Sequence, residues 1–326
     1  MSPGQITTGG PPSAGGHPAL WDGVDLSRRG SRVGERIIRA FLIGAAFLSI
    51  AVTVGIVVSL LVPMLTFFTH VDVLEFLTGT EWTAAFGGKF VWDDKEWGVL
   101  PLVVGTLMTT LIALVVAVPL GLGAAVYLSE YAGSRVRRFM KPILEVLAGI
   151  PTVVYGFLAL TIVTPILKPL LDIPGLYNML SAGLVMGFMI VPTVASLSED
   201  AMSAVPLSLR QGSYALGANR MKTTLRVVFP AALSGIVAAI VLGISRAVGE
   251  TMIMAVAAGN RATLTFDPRE GAQTMTGFIA QIASGDAPQG SPVYYSLFAV
   301  GGLLFAMTLV INLISIRLVR RYRQAY

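Results

Sequence analysis

The sequence contains no cysteine and only two histidines among its 326 residues. Disulfides, thiolate metal sites and cysteine nucleophiles are thereby excluded. His17 lies in a polar leading segment and His70 just past the first apolar run. A metal site needs several convergent ligands, so each lone histidine is expected to be solvated. Charge is scarce too. Asp, Glu, Lys and Arg make up 13% of the chain, about half the share of an ordinary soluble domain, while 54% is hydrophobic. One soluble core of this length does not hide so much apolar surface; a bilayer can. Hydrolytic signatures are missing as well. Neither His-Glu-x-x-His nor Gly-x-Ser-x-Gly occurs, nor does a Gly-x-x-x-x-Gly-Lys-[Ser/Thr] phosphate loop. The nearest fragment, Gly87-Gly88-Lys89-Phe90, lacks the first glycine and the hydroxyl. The chain is therefore not expected to hydrolyse ATP alone.

What is present is a set of long apolar runs. A helix needs roughly 20 apolar residues to cross the hydrocarbon. Six runs qualify: Ile37–Phe68, Gly98–Leu128, Pro142–Leu167, Asn178–Leu197, Ala231–Gly259 and Val293–Ile316. Pro63, Pro119, Pro151 and Pro192 are the expected kink sites. The first run is too long for a secretory signal and follows a 36-residue polar lead. Residues 1–36 are expected to form a disordered, basic cytoplasmic segment, with 37–326 as the six-helix domain.

Basic residues orient the spans. Five arginines (Arg28, Arg29, Arg32, Arg36, Arg39) precede span one. Arg135, Arg137, Arg138 and Lys141 fall between spans two and three, and Arg210, Arg220, Lys222 and Arg226 between four and five. Arg317, Arg320, Arg321 and Arg323 close the chain, so 17 of 23 basic residues share one side. Lys89, Lys95, Lys168, Arg261 and Arg269 lie opposite. The positive-inside rule puts both termini and the 198–230 loop in the cytoplasm. The net charge of +5 is spread along the topology instead of gathered on one segment, so no nucleic-acid partner is expected. Membrane lipid is. The external loop 69–97 holds six acidic residues and several aromatics; it is either a small cap or a solvated loop.

Span five carries the exceptional charge. Arg246 sits one residue from the midpoint of Ala231–Gly259, and Glu250 follows one helical turn later on the same face. A charge at that depth costs roughly 2.5–3.5 kcal/mol even on lenient insertion scales. Two readings follow. The pair neutralises itself and helps pack the bundle, or Arg246 offers a fork of donors to a passing anion while Glu250 tunes it. Ser245, Gly249 and Thr251 add hydroxyls and close backbone approach nearby. Glu145, near the cytoplasmic end of span three, is expected to snorkel or to pair with a basic neighbour.

The cytoplasmic segment Arg210-Gln-Gly-Ser-Tyr-Ala-Leu-Gly217-Ala-Asn-Arg-Met-Lys-Thr-Thr-Leu-Arg-Val-Val-Phe-Pro230 reads as a short helix with small residues, a break at Gly217 and a basic stretch. Pro230 is expected in the first turn of span five. This segment resembles the EAA loop of ABC importer permeases. Gly217 and Pro230 hold the Gly and Pro positions, and Val227 and Phe229 the Ile and Leu positions. Gln211, Gly212 and Ser213 stand where the family has Glu-Ala-Ala, dropping one charge and adding a flexible residue. Four further stretches are similar to the phosphate-specific permeases of that family: Leu100–Leu107, Val126–Tyr131, Gly149–Gly156 and Ser245–Thr251. The acidic, aromatic segment before span two looks more like the PstC type than its PstA-type partner.

The resemblance covers about residues 35–325 and implies an all-α membrane permease of the type I, MetI-like kind, in the bacterial plasma membrane. It implies that Arg246 and Glu250 line the phosphate route and that the 198–230 loop couples to an ATPase. It also implies the partners: a PstA-type permease, two PstB-type ATP-binding subunits holding ATP and magnesium, and an external PstS-type phosphate-binding protein. No cofactor is expected in this chain. Arginine chemistry alone leaves sulfate and molybdate open, because any tetrahedral oxyanion accepts the same bonds. A stand-alone secondary anion transporter is the competing class, and it would not need a coupling loop.

Overall fold

The computed structural model describes residues 32–83, 92 and 96–322. The expectations placed on residues 1–31, His17, Lys89, Lys95 and Arg323 lie outside them. Among the described residues every regular element is helical, apart from one antiparallel bridge between Trp82 and Trp97. The chain divides into two units, residues 1–56 and 57–326, with the division inside the helix Arg32–Phe68. In the first unit, Ile37, Phe41, Phe47 and Ile56 are all exposed. A helix with apolar side chains exposed all round is the pattern of a lipid-facing span.

The second unit is built on span two (Leu100–Tyr131) and span four (Met179–Ser203). Their close contact follows from glycine. A Cβ on Gly183 would lie 2.8 Å from Ile112, one on Gly187 2.8 Å from the Ala113 carbonyl, and one on Gly121 2.8 Å from Val194. Without hydrophobic drive between helices in lipid, such backbone approach is what holds them together. Ala113, Ala117, Val185, Met186, Met189 and Ile190 fill the seam. Span six is the helix Pro292–Tyr322.

The described part of the segment after span one carries a short helix and a cluster of buried aromatics. Asp72 caps the short helix Val73–Thr78 through the amides of Leu74 and Glu75. Phe67, Phe76, Trp82 and Trp97 are buried around edge-to-face contacts, and Phe278 reaches Trp82 at 5.1 Å. His70 stays exposed, its ring stacked 4.3 Å from Trp92.

Two spans differ from expectation. Span three is not Pro142–Leu167 but Thr152–Leu171. Residues Ser134–Gly149 form a separate amphipathic helix with four basic residues, ending at Ile150–Pro151, where proline supplies no N–H to continue the ladder. The apolar Ile143, Leu144, Val146 and Leu147 made the two helices read as one run. Glu145, expected near the span's end, is exposed on this helix and has no ion pair among the described residues. Span five is not a continuous Ala231–Gly259 helix. It runs Leu233–Val248, is bent 71° from the preceding helix Arg220–Ala231, and breaks at Gly249–Thr251. Pro230 therefore sits before the bend, not in the first turn of the span.

Candidate substrate pathway and coupling segment

Arg246 occupies the last turn of the span-five helix and is half-buried. Its Nη1 donates to Thr193 Oγ1 of span four at 2.9 Å. The neighbouring Ser245 hydroxyl donates to Asn312 Oδ1 of span six at 3.1 Å. Because the helix ends at Val248, Glu250 does not fall on the face of Arg246. Its Oε1 instead accepts from the amides of Met252 and Ile253 at 3.1 and 3.3 Å. It thus caps the helical turns that follow, and the Glu250 carbonyl accepts from the buried Thr276 hydroxyl at 2.6 Å. Among the described residues no ion pair includes Arg246. Of the two readings, the self-neutralising pair is not formed among the described residues, and the guanidinium has further N–H donors beyond the one on Thr193. Thr193 accepts from Arg246, so its own O–H proton is also available. The Thr251 hydroxyl donates to the Gly249 carbonyl at 3.3 Å. Thr193 was not legible in the sequence, where one threonine in an apolar helix carries no signal.

On the cytoplasmic side, Pro206 starts the helix Leu207–Ala215. Gly217, at φ +78°, turns the chain out of it, a backbone conformation that glycine adopts without strain. Asn219 then caps the next helix through the Lys222 amide. Gln211, Gly212, Gly217 and Pro230 are exposed, and the half-buried Ser213 shares a 2.9 Å hydrogen bond with Thr223 that ties the two helices together. Leu216, at the tip, is 91% exposed.

Two buried carboxylates went unnoticed in the sequence. Glu199, fully buried at the end of span four, is paired with Arg137 and Lys141 of the amphipathic helix. Glu130, at the end of span two, is paired with Arg210. The basic clusters opposite them, used only for topology, were the available signal.

On the outer face a cavity of about 590 Å³ is lined by Tyr177, Asn260, Arg261, Thr263 and Glu270, among others. Beside it Arg269 holds Asp267 at 2.7 Å and keeps its carboxyl below the usual aspartate range, through hydrogen bonds to side chain and backbone.

The spans, the cytoplasmic helix pair and the uncommitted intramembrane arginine define a multi-span transport subunit. Residues 117–324 match the family described as "Binding-protein-dependent transport system inner membrane component", and the chain belongs to that family. It is 34% identical over 290 residues to a probable ABC transporter permease protein, YqgH, of Bacillus subtilis (strain 168), spanning 88% of this chain and 92% of that one. It is 37% identical over 279 residues to "Phosphate transport system permease protein PstC 1" of Mycobacterium tuberculosis (strain H37Rv), spanning 76% and 82%. The corresponding PstC protein of Haemophilus influenzae is 31% identical over 291 residues, spanning 81% and 91%. Among solved structures, the fold is similar to an importer of the polysaccharide alginate (TM-score 0.60, 15% identity, 90% of this chain and 100% of that one). It is also similar to the inward-facing MetNI methionine transporter (TM-score 0.53, 20% identity, 70% and 95%). At those identities the likeness is one of fold.

Proposed function

We propose that this chain is the PstC-type permease subunit of an ATP-driven phosphate importer, working by alternating access. The observation that carries the reading is the Arg246 guanidinium, held by the Thr193 hydroxyl and free of any carboxylate among the described residues. An arginine left unneutralised inside a membrane bundle is costly unless it serves a passing anion. Relatives named as phosphate transport permeases, 31–37% identical, support phosphate as that anion.

The partners complete the cycle. A second, PstA-type permease faces this one across the route, and an external PstS-type protein delivers phosphate to it. Two PstB-type subunits bind ATP and magnesium; hydrolysis takes place there and not in this chain. The helix Leu207–Ala215, with Leu216 at its tip, seats on one of them. Phosphate reaching the level of Arg246 exchanges part of its hydration for guanidinium N–H and Thr193 O–H donors. The site stays weak enough to release because it offers few bonds and remains half open.

The test is uptake of radiolabelled phosphate by phosphate-starved cells lacking this gene and carrying it on a plasmid. Restored uptake that excess sulfate leaves unchanged is expected. Uptake abolished by sulfate or molybdate would reassign the substrate, and no restoration would reject the reading.

A further inference from the structure

Glu130 has no part in the anion route, yet it is a carboxylate only 5% exposed at the foot of a membrane span. A charge there requires a partner. That partner comes from the docking helix: Arg210 Nη2 lies 3.1 Å from Glu130 Oε1. The same nitrogen donates at 2.7 Å to the Met202 carbonyl near the end of span four. Ser129 adds a 3.0 Å hydrogen bond that orients the carboxylate. The adjacent residue, Tyr131, carries the Arg220 guanidinium over its ring at 5.2 Å.

Two successive residues of span two therefore hold both helices of the docking segment, which are themselves joined by Ser213 and Thr223. Arg210 turns inward to do this, while its neighbours Gln211 and Gly212 remain exposed to the cytoplasm. The residues Tyr127–Tyr131 form a π-helical turn, whose extra residue lets a helix end tilt without losing its backbone bonds. Above it, the glycine contacts at Gly121, Gly183 and Gly187 leave spans two and four no room to slide separately. Span four carries Thr193, the residue on which Arg246 rests.

We propose that the Glu130–Arg210 pair is the joint through which a push on the docking helix enters span two. In this role Glu130 and Arg210 are positioning residues for coupling, not for binding substrate. The inference rests on the reading of residues 198–230 as the ATPase-docking segment. A pair of full charges fixes both the distance and the direction of the docking helix. Neutral partners would let it yield under load, and ATP would be consumed without movement of the spans.

The test uses the whole complex, reconstituted in proteoliposomes with its ligand-loaded binding protein. Phosphate moved per ATP and the stimulation of hydrolysis by the binding protein are both measured. Glu130→Gln, which keeps the volume and removes the charge, is expected to lower phosphate per ATP at least about five-fold, the lower end of typical coupling energies. Its stimulation factor should fall toward one while basal hydrolysis persists. Arg210→Lys should give intermediate values, and the exchange of Glu130→Arg with Arg210→Glu should recover part of the ratio. Wild-type values of both ratios in Glu130→Gln would overturn the proposal. So would a proportional loss of transport and hydrolysis with both ratios unchanged, which is what a merely structural residue gives. If Glu130→Gln does not assemble, Arg210→Lys decides on the same two ratios. A wild-type complex that responds to the binding protein but moves no phosphate would overturn the substrate reading instead. The stimulation factor would then decide the joint by itself.

Discussion

Arg246 donates to the Thr193 hydroxyl at 2.9 Å and not to Glu250, four residues further along the chain. The helix stops between the two charged residues, and each is thereby given a separate task. Arg246 faces a neighbouring span with donors to spare, while Glu250 caps the turns after the break.

Arg246→Gln keeps hydrogen-bonding capacity but removes the charge. A charge-assisted bond contributes about 1.5–3 kcal/mol, so phosphate uptake is expected to fall at least about ten-fold at unchanged membrane abundance. Immunoblots of the complex alongside uptake measurements check this. Normal uptake would make the arginine structural.

Thr193→Val removes one neutral donor of nearly the same volume. The expected loss is about two- to ten-fold in uptake at low phosphate, with Thr193→Ser close to wild type. Equal behaviour of Val and Ser would show that the hydroxyl does not meet the anion.

Glu250→Ala deletes a cap with its oxygen on two amides, a loss of about 0.5–2 kcal/mol. Glu250→Gln retains an acceptor oxygen and should keep most of the uptake and the thermal stability of the purified complex. If Gln abolished uptake at normal stability, the negative charge itself would be acting on the route.

Leu216→Asp places a charge where an apolar tip is 91% exposed. Co-purification of the ATPase subunits with this chain is expected to drop several-fold, without loss of the chain from the membrane. Unchanged recovery would place the ATPase contact elsewhere on the segment.

The sequence was a good guide wherever a single span had to satisfy the bilayer. Spans one, two, four and six fall within a few residues of their apolar runs, because twenty apolar residues have no other place to go. It missed the break at Gly249–Glu250, and at Ile150–Pro151 it marked only a kink where the helix ends, for the same reason. Composition averages over a break, so an amphipathic helix beside a span, or a gap within one, reads as one continuous run. The break in the cytoplasmic segment was legible because Gly217 is a local signal, acting through its own φ.

Side-chain pairing was legible nowhere. Glu199 with Arg137 and Lys141, Glu130 with Arg210, and Arg246 with Thr193 each join residues more than fifty positions apart. What the amino-acid order determined by itself was the class of molecule, the expected orientation and the place of its cytoplasmic helix, since these follow from transfer free energy, charge asymmetry and local backbone preference. Which charges meet, and which arginine has no carboxylate among the described residues, was decided only when glycine contacts brought spans two and four together and the break in span five separated Glu250 from Arg246. Those partners are selected by three-dimensional proximity, which no local property of the chain encodes.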